Sequence, residues 1–249
     1  MTREMQNALL LLFGCVLIKI VVADVHVRYV REDFGPFLLA SGVVVAGLAL
    51  AGMVQDFRAL RRSHDQTSPN AGRAGRAAWM LGAPVLLLLF ILPPPLGPET
   101  MASASGPAKQ VSLRSAPAIA FDPLPDEPAP ALNILEITRR AAFDTTRSLS
   151  GREVTVTGFW LAASESRPEP LLGRVSIICC AADARLVSVR LSDVRGTILE
   201  AANDHAWFEV RGEVTPGSAT ASNGYVPHLR VTGVRAIEAP ANTYEYPGG

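Results

Sequence analysis

The chain has 249 residues, 23 Lys+Arg against 23 Asp+Glu, a hydrophobic fraction of 49% and a charged fraction of 18%. That charged fraction is below the roughly 25% usual for soluble domains, and residues 1–100 hold 9 basic and 7 acidic side chains against 14 and 16 in residues 101–249. The composition excludes a disordered chain, a coiled coil and a cysteine-stapled miniprotein, and neither half has the basic field of a nucleic-acid binder.

Three apolar segments organise the first hundred residues and predict a membrane region over residues 1–98, with helices at about 5–23, 36–54 and 73–92. Residues 8–23 are interrupted only by Lys19, residues 36–54 carry no charge, and residues 77–92 stop at Pro93-Pro94-Pro95. A bilayer core of about 30 Å needs about 20 helical residues. Starting the third helix near Arg73 supplies that length, with Arg73 and Arg76 snorkelling and Trp79 at the interface. Buried helices of a soluble core are the alternative, but none of the three segments shows an amphipathic stripe.

Loop charges set the orientation. Residues 24–35 carry two arginines, Arg28 and Arg31, whereas residues 55–76 carry five: Arg58, Arg61, Arg62, Arg73 and Arg76. The positive-inside rule then places the second loop and the amino terminus in the cytoplasm, and everything after Pro93 outside. A cleaved signal peptide is a rival for the first segment, because Val21-Val22-Ala23 resembles a cleavage site. Lys19 inside the apolar run argues against it. Lys19 is expected to snorkel to the outer interface rather than line a transport path.

The second segment is rich in small residues. Gly42/Ala46 and Gly47/Ala51 have the i, i+4 spacing that lets helices approach closely. Packing within this chain and docking on another subunit are both open readings of that face.

Residues 99–131 are dominated by Ala, Pro and Ser and read as a semi-extended extracytoplasmic linker. Residues 132–249 then predict a β domain. A short helix over 132–149 opens it, with Asn133 as N-cap and Gly151 as stop. Period-two alternation follows over residues 152–161, 174–180, 186–192, 207–214 and 228–237, with a short helix or irregular crossover over 194–203. Three strands share a pattern, Val156-Thr157-Gly158, Val210-Arg211-Gly212 and Val231-Thr232-Gly233. A glycine there marks a bulge or a barrel corner. The fold class is therefore an N-terminal helical transmembrane region plus a C-terminal all-β domain, an OB-like five-stranded barrel. An immunoglobulin-like sandwich, which wants about seven strands, is the runner-up.

Few residues offer chemistry. Cys179-Cys180 is read at the end of the second strand, where alternation would turn one sulfur inward and one outward. Buried structural thiols, a metal or metalloid site, a redox pair or strained vicinal disulfide, and a link to a partner all compete. Two thiolates alone do not complete a zinc tetrahedron. Asp183, His205 and His228 are the available further ligands, Asp183 being more often a turn residue that binds backbone amides. No nucleophile elbow, phosphate-cradling glycine loop or H-E-x-x-H occurs, so no enzyme activity is expected. Trp160, Trp207 and Phe208 are expected to pack. No cofactor is predicted, a metal ion at Cys179 and Cys180 being the one candidate.

Tyr29-Val30, Pro93-Pro94-Pro95-Leu96-Gly97, Val156-Thr157-Gly158-Phe159, Cys179-Cys180-Ala181-Ala182-Asp183-Ala184 and Tyr244-Glu245-Tyr246-Pro247 occur in this order. Together they resemble a poorly characterised bacterial family of multi-pass membrane proteins with an exported OB-like domain. The likeness covers nearly the whole chain, and the CCAADA run is its most specific part. The family is described as one subunit of a two-component membrane permease complex. The resemblance thus implies a larger, polytopic permease partner, a cell-membrane location and no settled substrate. The expected function is that of an accessory permease subunit. The alternative is a membrane-tethered thiol-redox or soft-metal-handling domain acting without a permease. The bilayer is the other expected partner, and nucleic acid is not expected.

Overall fold

The computed structural model describes residues 3–62, 118–165 and 167–247, together with Gly97 and Glu99. The expected third membrane helix, most of the arginine-rich second loop and much of the 99–131 linker lie outside the described residues. The chain divides into two compact units, Met1–Pro95 and Leu96–Gly249.

In the first unit, the apolar run folds as α1 (Arg3–Val22), with Lys19 exposed in its last turn. Asp24 takes a left-handed φ of 52° and breaks the helix. Two short 3₁₀ turns follow, and α2 spans Gly35–Arg62. Pro36 sits in the first turn of α2, where its missing N–H would have had no intrahelical acceptor. The stretch Glu32–Arg58 is long and apolar enough to cross a membrane, and its most apolar window is only 17% buried. A helix at the core of a soluble protein would be mostly covered. The apolar part of α1, Gln6–Val22, falls short of that length.

The two helices pack antiparallel through small residues. A Cβ added at Gly14 of α1 would lie 2.8 Å from the Ala46 nitrogen and 2.9 Å from the Gly42 carbonyl, so only glycine permits this approach. Nearer the other end, the Asn7 amide donates to the Asp56 carboxylate at 3.1 Å.

In the second unit, α3 (Ile134–Phe143) buries Ile134, Leu135, Ile137 and Thr138. It is shorter than expected. Asp144 stops it by turning its carboxylate onto the amides and hydroxyls of Thr146 and Ser148 at 2.6–2.9 Å. Asn133 holds the N-cap position without a side-chain cap bond. Six strands follow: β1 (Glu153–Leu161), β2 (Leu171–Ser176), β3 (Arg185–Ser192), β4 (Trp207–Val214), β5 (His228–Ile237) and β6 (Tyr244–Glu245). The crossover between β3 and β4 contains a 3₁₀ turn at Ile198–Ala201 that buries Leu199.

The sheet order is β1-β4-β5-β3-β2-β6, and β1 also pairs with β2. The ladder therefore returns on itself. All pairs are antiparallel except β3–β5 and β2–β6. β2 spends Leu171–Gly173 on β1 and Val175–Ser176 on β6. Of the three repeated glycines, Gly212 sits at a register shift between β4 and β5, where a Cβ would strike the Arg230 carbonyl. Gly158 lies against the Gly173 backbone, and a Cβ at Gly233 would make only ordinary contact with the Arg211 side chain, at 3.8 Å.

Successive side chains of a strand face opposite ways, and β1 uses both faces. Val154 and Val156 join a core with Ile134, Ile137, Leu172, Val189, Val210 and Leu229. Phe159 and Leu161 join a second with Val175, Ile177, Leu186, Trp207 and Tyr244. Trp160 and Phe208 are buried in the first core and Trp207 in the second, which makes all three packing residues. Packing also begins upstream of residue 132. Leu124 is in the first core, and the Thr155 N–H donates to the Pro130 carbonyl at 2.9 Å.

Candidate functional site

The β2–β3 connection holds Cys179, Cys180 and Asp183. β2 ends at Ser176 rather than at Cys180: the Ile177 N–H still bonds to the Glu245 carbonyl of β6 at 3.1 Å, but the next three amides, those of Ile178, Cys179 and Cys180, turn to Asp183. The alternation expected to place one sulfur in and one out therefore stops before the cysteines. Ile178 and Cys179 are exposed, and Cys180 is half-buried.

Asp183 organises this loop. Its Oδ1 accepts the Ile178 N–H at 2.7 Å, and its Oδ2 accepts the N–H groups of Cys179 at 2.9 Å and Cys180 at 3.1 Å. Three consecutive amides thus converge on one carboxylate, while the Asp183 N–H donates back to the Cys180 carbonyl at 3.0 Å. The expected turn role is present. The same geometry draws in the sulfurs. The Cys179 thiol donates to Asp183 Oδ2 at 2.9 Å, and the Sγ atoms of Cys179 and Cys180 lie 3.7 Å apart. Ligand atoms of all three residues lie within 4.8 Å of one another, the one such group of three or more among the described residues.

Partial burial works to raise the Asp183 carboxyl, but the Cys179 thiol and the three amides outweigh it and hold the group below the usual carboxylate range. The hydrogen bond to that carboxylate, with Cys180 beside it, pushes the Cys179 thiol up to about 12. A thiol held protonated is a poor nucleophile, since the thiolate is the attacking form. A cation between sulfur and carboxylate would reverse that balance, because both anions would then face opposite charge.

The other expected ligands stay apart from this loop. His205 lies 3.5 Å from Asp204, and His228 lies 3.1 Å from the Arg190 guanidinium. The small residues of α2 divide between two faces. Gly42 and Ala46 are buried against α1, whereas Gly47 and Ala51 are exposed and a Cβ at Gly47 would meet nothing.

Two residues that sequence reasoning passed over are structurally prominent. Glu245, 4% exposed, caps α3 from the far end of the domain. Arg174 stacks over the Trp207 ring at 5.0 Å and donates to the Asn242 carbonyl at 2.9 Å. A glutamate between two tyrosines was the only local signal for the first. A groove of about 540 Å³ is lined by Arg140, Asp144, Arg147 and Pro216, and none of the cysteine-loop residues borders it. Its Arg140 and Asp144 are already committed, Arg140 to Glu136, Ser148 and the Asp122 carbonyl, and Asp144 to Thr146 and Ser148.

A helix of membrane-spanning length and a six-stranded β domain with a thiol-bearing loop define the class of the molecule. Residues 141–247, from the last turn of α3 through β6, match the model of an uncharacterised family, the DUF1980 C-terminal domain. No curated protein and no solved structure matches the chain.

Proposed function

We propose that the chain is an accessory subunit of a two-component membrane permease, anchored by several helices and displaying a β domain at the outer face of the membrane. In this reading the amino terminus is cytoplasmic, the third apolar segment is a further span, and residues 132–249 are extracytoplasmic. The β domain is an OB-like barrel, a reading supported by five long strands whose pairing runs β1-β4-β5-β3-β2 and back to β1. Its role is to present Cys179 and Cys180 to a soft substrate on its way to or from the permease. The observation that carries the proposal is the convergence of two thiols and a carboxylate on an exposed loop. In this reading the exposed loop serves binding.

A second reading, a membrane-tethered soft-metal or thiol domain working without a permease, has its own support. α1 and α2 pack on each other through Gly14, Gly42 and Ala46, so that small-residue face is filled within the chain. Purification of the full chain from native membranes, with identification of co-purifying proteins, separates the two. A polytopic permease recovered with the chain supports the first reading. Recovery of the chain alone from gently solubilised membranes supports the second.

A further inference from the structure

We propose that Cys179 and Cys180 chelate one divalent cation of the zinc type, with Asp183 as third ligand and the fourth position open. This deepens the reading of the loop as a binding site by naming the ion, and it holds with or without a permease. With metal–sulfur bonds of about 2.3 Å, a sulfur separation of 3.7 Å corresponds to an S–metal–S angle of about 107°, close to tetrahedral. A two-coordinate linear ion at the same bond length needs sulfurs about 4.6 Å apart. Calcium and magnesium want six or more oxygen ligands, which this loop does not have. The two sulfurs are also well beyond the bond length of a disulfide, about 2.05 Å.

The third ligand follows from charge. The Cys179 thiol donates to Asp183 Oδ2 at 2.9 Å, so an ion bound by the two sulfurs would replace the proton that now lies between sulfur and carboxylate, and the amides of Ile178, Cys179 and Cys180 already orient that carboxylate. Those amides hold Asp183 in place whether or not an ion is bound. Three protein ligands on an exposed loop leave one coordination position for solvent or an incoming donor. Closed four-ligand sites are structural, and open ones exchange. The cores of the β domain are built without these side chains, so the ion is cargo and the fold does not depend on it.

The test uses the full-length protein in detergent with Cys15→Ser, which removes the third thiol, and Co²⁺ as spectroscopic probe. One equivalent of Co²⁺ should give intense tetrahedral d–d bands and a sulfur-to-cobalt charge-transfer band, both abolished by an equivalent of Zn²⁺. Cys179→Ser and Cys180→Ser should each lose the charge-transfer intensity and weaken binding on the order of 100-fold or more, and Asp183→Asn on the order of 10-fold, with unchanged circular dichroism. A weak octahedral spectrum, or bands that persist in both serine variants, would overturn the assignment. So would binding confined to ions that prefer linear coordination. Failure here leaves co-purification of a permease unaffected, and failure to recover a permease leaves the cobalt spectrum unaffected.

Discussion

The Glu245 carboxylate accepts the backbone N–H of Ile134 at 2.9 Å, across 111 residues of chain. Its second oxygen accepts the N–H of Leu135 at 3.1 Å. The first turn of a helix presents amides without intrahelical partners and a positive dipole end. Here a strand residue from the opposite end of the domain occupies that position. Burial pushes the Glu245 carboxyl up, against the pull of the two amides and Arg174. Because β6 also pairs with β2, one dipeptide ties α3 to the sheet.

Glu245→Ala should therefore destabilise the β domain far more than its position suggests. Two buried amides lose their acceptor, and the expected loss is about 2–4 kcal/mol. Chemical unfolding followed by tryptophan fluorescence measures it. Glu245→Gln, which keeps one acceptor oxygen, should cost less. Equal losses in the two variants would mean that the negative charge, rather than the cap, is what matters.

The cysteines are not core filler. Cys179 is exposed and Cys180 half-buried, so the double Ala variant should keep stability within about 0.5 kcal/mol. Asp183→Ala, by contrast, deprives three loop amides of their shared acceptor and should cost about 1 kcal/mol, as loss of a cap does. Thermal unfolding of the sheet signal by circular dichroism compares the two. A double Ala variant less stable than Asp183→Ala would restore a packing role for the sulfurs.

Gly14 and Gly47 make opposite predictions. Gly14→Leu places its Cβ within 3 Å of the α2 backbone and should disrupt the helix pair, at a cost of about 1–3 kcal/mol. Gly47→Leu projects into open space and should leave the pair intact. A cysteine cross-link between α1 and α2 reports the first effect. If the exposed Gly47/Ala51 face meets a permease helix, Gly47→Leu should reduce recovery of that partner while membrane insertion stays normal.

Acid should weaken the turn after α3. Burial acts to raise the Asp144 carboxyl, but hydrogen bonds from Ser148 and Thr146 prevail and hold it well below the usual carboxylate range. A group whose folded pKa is depressed stabilises fully above its unfolded pKa of about 3.9 and loses that contribution as pH falls towards the folded value. The stability gap between the native chain and Asp144→Asn should accordingly narrow between roughly pH 5 and pH 2. A constant gap across that range would show that the carboxylate charge adds nothing.

Much of this architecture is legible in the residues because period and composition are local properties. β1, β3, β4 and β5 follow their alternation to within a residue, and α1 and α2 follow their apolar runs. α2 continues to Arg62, past the expected end at residue 54, because hydropathy marks where the apolar stretch stops and not where the hydrogen bonds stop. β2 was displaced because Leu171, Leu172 and Gly173 are all buried and so show no alternation. β6 has two residues, too few for any period. The loop is a mixed case. The residue types Cys, Cys and Asp announced metal or thiol chemistry, but their convergence depends on amides that no pattern reveals. Glu245 is visible in the sequence only as part of Tyr244-Glu245-Tyr246-Pro247, and its capping role is not, because its partners lie more than a hundred residues away.

The closed course of the sheet has a bearing on crowding at a surface. An open sheet edge invites pairing with a neighbour's edge, the usual route to aggregation. Here β1, β2, β3, β4 and β5 each have a partner strand on both sides, but β5 meets β3 only over residues 228–230, so its stretch to Ile237 has a ladder partner on the β4 side alone, while the two-residue β6 is buried. Copies held side by side in two dimensions would find free strand backbone along that part of β5 and would elsewhere meet through side chains and loops.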